Sequence, residues 1–82
     1  MTSSKIQTVL GLSVITITKY LMEHFSVNHE EAYKKLISTD FYELLNDIDT
    51  DLYLETNEYL CKGCVLELEK GREAMYKFIN QE

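Results

Sequence analysis

An all-α fold is what this sequence predicts, on three observations. The chain has no proline and only three glycines, Gly11, Gly63 and Gly71, so the punctuation that separates short strands is nearly absent. Apolar residues recur at three- and four-residue steps over most of the length, the period of one helix face. Capping residues stand just ahead of the later periodic runs. The length of 82 residues fits one domain, 1–82, and the expected architecture is a small four-helix bundle. Its two long outer helices, first and last, pack on each other while two short middle helices close one end.

The first helix is expected from Ser4 to about Phe25, with Leu10, Val14, Ile17, Leu21 and Phe25 on one stripe and Ser13, Thr16, Lys19 and Glu23 largely on other faces. The β-branched run Val14-Ile15-Thr16-Ile17-Thr18 resembles a strand locally, but its continuation into Lys19-Tyr20-Leu21-Met22-Glu23 favours helix. Asn28 is placed to cap a second helix, His29 to Ile37, with Glu31 completing a capping box and Val27 stapled against Ala32. Its apolar stripe is Ala32, Tyr33, Leu36 and Ile37. Ser38 or Thr39 caps a third helix ending near Asn46, with Asp40 and Glu43 near its positive end and Phe41, Leu44 and Leu45 turned inward. A loop from Asp47 to Glu55 follows, and Thr56 or Asn57 caps the last helix. Leu60, Cys64, Leu68, Met75 and Ile79 form its stripe, and Gly71 falls where a close helix crossing wants no side chain. Glu58 with Lys62, and Glu73 with Lys77, stand in the favourable order for exposed pairs, while Gly63 and Gly71 are the positions for a kink or break.

Fourteen acids against eight bases give a net charge of −6, the wrong sign for direct binding to nucleic acid or to an anionic membrane. The charge is unevenly spread. No base lies between Lys35 and Lys62, while Asp40, Glu43, Asp47, Asp49, Asp51, Glu55 and Glu58 place half of all the acids there. Such a field attracts a basic partner; the plainer reading is a solvated face that confers solubility. The apolar stretch from Val9 to Ile17 is shorter than a membrane span and has no signal-peptide cleavage pattern, so a cytoplasmic location is expected. A chain this short buries only about 60–65% of its unfolded surface, which makes a homodimer covering an apolar face one route to stability.

Three local patterns bear on chemistry. The segment from Asp47 to Glu58 has the acid spacing of an EF-hand calcium loop, with Asp47, Asp49, Asp51, Glu55 and Glu58 at positions one, three, five, nine and twelve. Position six is Leu52 where that loop needs glycine, and no second hand is present in the sequence. Cys61-Lys62-Gly63-Cys64 is a lone CxxC inside a helix. It lacks both the four ligands of a zinc site, since only His24 and His29 remain to help, and the βα context of a thioredoxin-like centre, so both thiols are expected to pack. His24 and His29 have no nucleophile motif to serve, and the six tyrosines suit the edge of the core.

The runs Glu30-Glu31-Ala32-Tyr33, Ser38-Thr39-Asp40-Phe41-Tyr42-Glu43-Leu44-Leu45 and Thr50-Asp51-Leu52-Tyr53-Leu54-Glu55-Thr56 carry a resemblance. Over residues 14–69 the chain resembles small uncharacterised helical proteins of Gram-positive and gut bacteria, catalogued as a domain of unknown function. The resemblance implies a compact bundle and, for some such families, a gene neighbourhood with toxin-like partners. It also implies that Asp51 to Tyr53 is a packing turn rather than a calcium loop. The resulting expectation is a bacterial, non-enzymatic, cofactor-free protein-interaction module with an acidic face for a basic protein partner, possible roles being antitoxin-like or regulatory. The alternative is a calcium-binding module through residues 47–58.

Overall fold

The computed structural model describes residues 3–81, with side chains from residue 5. Every regular element among the described residues is helical: α1 (Ser3–Phe25), α2 (His29–Ile37), α3 (Asp40–Asn46), two 3-10 turns (Ile48–Thr50 and Leu52–Leu54), α4 (Asn57–Lys70) and α5 (Arg72–Ile79). No helix there is long and apolar enough to cross a membrane. The β-branched run lies inside α1, where the Thr18 hydroxyl donates to the Val14 carbonyl at 2.7 Å and so needs no partner elsewhere.

Local chemistry ends and starts each helix. Ser26 takes a left-handed conformation (φ 56°) after α1, and the Val27 amide reaches back to the Met22 carbonyl at 3.1 Å, which satisfies an orphan acceptor of the last turn. Asn28 then caps α2 by accepting from the Glu31 amide at 2.9 Å. Thr39, rather than Ser38, caps α3 by accepting from Tyr42, and Thr56 caps α4 by accepting from Tyr59.

The expected single last helix is in fact a hairpin, so the described residues contain five helices instead of four. Gly71 sits at φ 99°, ψ 168°, a conformation nearly closed to other residues, and the chain reverses there. Tyr59 in the first turn of α4 lies 4.8 Å from Phe78 in the last turn of α5, ring centroid to centroid, so α5 folds back along α4. Lys62 accordingly rests over the Phe78 ring at 5.9 Å. Gly71 has open space where a Cβ would stand; the close crossing belongs to Gly63, where a Cβ would meet Phe41 Cε1 at 2.6 Å.

The core is one cluster that draws on every helix: Ile17 and Leu21 from α1, Ala32 and Leu36 from α2, Phe41 and Leu45 from α3, Leu60, Cys64 and Val65 from α4, and Met75 from α5. Leu52 joins it from the second 3-10 turn, while Leu10, Val14, Leu68 and Ile79 pack at its margin. Each fully buried aliphatic side chain contributes about 1.5–3 kcal/mol. On α2 only Ala32 and Leu36 of the expected stripe are buried; Tyr33 and Ile37 are exposed, because α2 touches the bundle along a narrow seam.

Candidate functional site

Two surfaces stand out, and the first is the acidic segment. Its seven acids do not act alike. Asp40, at the start of α3, is half-buried and tied to α5: its Oδ2 accepts from the Tyr76 hydroxyl at 3.3 Å and lies 3.6 Å from Arg72 Nε. Burial, and then the Asp40 carboxylate beside it, push the Tyr76 phenol above its ordinary range. Asp47 Oδ1 accepts from the Asp49 amide at 3.0 Å and so starts the first 3-10 turn. Glu43, Asp49, Asp51, Glu55 and Glu58 are exposed, on α3, the turns and the first residues of α4.

The turns are built from within. Thr50 Oγ1 donates toward the carbonyls of Leu44 (2.7 Å) and Asp47 (2.9 Å), tying the loop to the end of α3. Asp51 carries the left-handed conformation (φ 59°), and Leu52 follows it into the core. An EF-hand would put that strained residue one position later and leave it without a side chain. Among the described residues no three His, Cys, Asp or Glu side chains gather as a metal site. The same loop also exposes two large apolar residues, Ile48 at 50% and Leu54 at 68%, between its acids. Leu54 thus turns outward while its neighbours Leu52 and Tyr53 pack on the core.

The second surface is an open groove of about 840 Å³ between α1 and α4. Tyr20, Cys61, Val65 and Leu66 give it an apolar floor, and Lys19, Lys62, Glu23, Glu58 and Glu69 are spread around its rim. At one end His24 Nε2 meets Glu69 Oε2 at 2.9 Å, which joins the C-terminal turns of the two helices. His24 also stacks on Tyr20 (5.7 Å between centroids) and meets Phe25 edge-on (4.8 Å). His24 is thus a clasp between helices, a role its sequence neighbourhood did not reveal.

The two cysteines lie on the core side of α4. Burial pushes the Cys61 thiol up, and burial, with the negative charge of Glu67 nearby, pushes Cys64 up to about 12. A reactive thiol needs the opposite environment, one that favours the thiolate.

No family model, curated protein or solved structure matches this chain significantly.

Proposed function

We propose that this protein is a non-enzymatic protein-interaction module whose acidic loop, residues 43–58, docks on a basic protein partner. The observation that carries the reading is the pairing of two features in one short stretch. Ile48 and Leu54 stand exposed as apolar anchors, and Glu43, Asp49, Asp51, Glu55 and Glu58 surround them in sequence with no base from Lys35 to Lys62. Protein interfaces combine such a small apolar centre with a charged rim, and the rim speeds encounter and rejects partners of the same sign. The loop's internal hydrogen bonds through Thr50 and Asp47 support it further, because a preorganised loop loses less entropy on docking. A bacterial cytoplasmic setting and an antitoxin-like role are part of this reading, supported by the resemblance of residues 14–69 to small helical proteins of which some neighbour toxin-like partners.

The test is affinity capture from bacterial cytosol with the wild-type chain beside two variants, Asp49→Lys/Asp51→Lys/Glu55→Lys and Ile48→Ser/Leu54→Ser. A basic protein held by the wild type, released by raised salt and lost with both variants is the expected result. Recovery of the same proteins by all three chains, or of none by the wild type, overturns the reading.

A further inference from the structure

α1 presents two faces. One carries Ile17 and Leu21 into the core. The other carries Lys5, Val9, Leu12, Thr16, Tyr20 and Glu23, which fall within an arc of about 80° at 3.6 residues per turn. Val9, Leu12 and Tyr20 on this outer stripe are 40%, 60% and 43% exposed, and Ile15 beside it is exposed as well. Thr16, Tyr20 and Glu23 also line the α1–α4 groove, so the groove and the bare N-terminal half of the helix form one continuous surface.

We infer that this surface is the interface of a homodimer, in which α1 of a second copy lies antiparallel on α1 and its N-terminal half fills the groove. The order of side chains along the stripe argues for this occupant. An antiparallel pair centred near residue 14 brings Lys5 of each copy to Glu23 of the other. The same register sets Val9 over Tyr20 and Leu12 against Thr16. Every contact occurs twice, as a two-fold interface requires. A parallel pair would set Lys5 against Lys5 and Glu23 against Glu23, so the charges select the antiparallel arrangement.

The size of the surface fits as well. The stripe from Lys5 to Glu23 is about 27 Å long at 1.5 Å per residue, and the surface is about two helix diameters wide along its C-terminal half, where α4 lies alongside, and one diameter wide along the rest. That footprint, about 450 Å² before surface relief is counted, is more than half of the roughly 800 Å² per partner of a standard stable interface. The dimer leaves Glu43 and residues 47–55 outside the paired stripe and shares only Glu58, on the groove rim, with the partner reading above; the variants that test the two readings do not overlap, so each can fail or hold without the other.

Sedimentation equilibrium of the full chain tests the inference. The wild type is expected at twice 9.6 kDa at micromolar concentration. Leu12→Glu, at a position that is exposed in the single chain, is expected as a monomer with an unchanged circular dichroism spectrum. Lys5→Glu is expected to weaken association roughly tenfold, as two like-charge contacts replace two ion pairs, and Lys5→Glu/Glu23→Lys to restore it. A wild type that stays monomeric at several hundred micromolar (an order-of-magnitude ceiling for a specific dimer) overturns the inference. So does a dimer that Leu12→Glu leaves intact, or a double swap that associates no better than Lys5→Glu.

Discussion

Glu67 on α4 accepts the Asp40 amide at 2.7 Å with one carboxylate oxygen, and its other oxygen accepts the Phe41 amide at 2.9 Å. These are among the amides that open α3 and have no partner within their own helix, and a carboxylate there also meets the positive end of the helix. A short helix of seven residues is marginal alone, so this contact from 26 and 27 residues away holds α3 in place as much as its own Thr39 cap does. Through α3 it also orients the loop that follows.

Glu67→Ala leaves both amides without their acceptor and is expected to cost about 2–3 kcal/mol of stability, while Glu67→Gln, which keeps one neutral acceptor, costs about 1 kcal/mol. Urea unfolding followed by circular dichroism gives both values. Equal and negligible losses would mean that water replaces the carboxylate at no cost.

A different dependence fixes where α3 meets α4. Gly63 is buried against the Phe41 ring, and any Cβ at that position needs the ring to move from 2.6 Å to at least van der Waals distance. Phe41 is fully buried, so it has little room to yield. Gly63→Ala improves helix propensity by about 1 kcal/mol, and overpacking costs about 1–3 kcal/mol, so a net loss of up to about 2 kcal/mol is expected. Adding Phe41→Leu to Gly63→Ala should cost less than the sum of the two single changes, because the smaller side chain removes the clash. A double-mutant cycle read from denaturation midpoints checks this, and strict additivity would speak against the contact.

Much of this architecture was legible in the sequence. The apolar period and the caps at Asn28, Thr39 and Thr56 locate the helices to within a residue or so, because those signals act within one turn. The hairpin at Gly71 was less legible: the stripe from Leu60 to Ile79 continues across it in phase, and a glycine is tolerated in a helix as well as at a reversal. Gly71 is one of the two positions open to a break, whereas the close crossing expected there belongs to Gly63. Which glycine meets a ring is a tertiary fact.

The candidate surfaces divide in the same way. The acid window is a matter of counting, whereas Asp40 is tied to α5 by Tyr76 and Arg72, residues more than thirty positions away. The groove could not be read at all without the helix pairing. The bare face of α1 that continues the groove did leave a signal: Val9, Leu12 and Ile15 are apolar but lie off the core stripe, so that helix has more apolar surface than one core can cover.

The buried Cys64 thiol ties stability to pH in a direction that follows from its surroundings. In the unfolded chain a thiol loses its proton near pH 8.5, whereas in the fold burial holds Cys64 protonated up to about 12. Between those values the unfolded state binds fewer protons than the folded one, so stability falls as pH rises. The contribution is complete below about pH 8.5 and is lost at up to about 1.4 kcal/mol per unit above it. Cys64→Ala is expected to be less stable than the wild type at pH 8 because of the cavity it leaves, but the gap should narrow by about 2 kcal/mol at pH 10. Denaturation of both chains at the two pH values measures that narrowing. A gap that stays constant would place Cys64 in contact with water, and rapid reaction of the native thiol with a disulfide reagent would say the same.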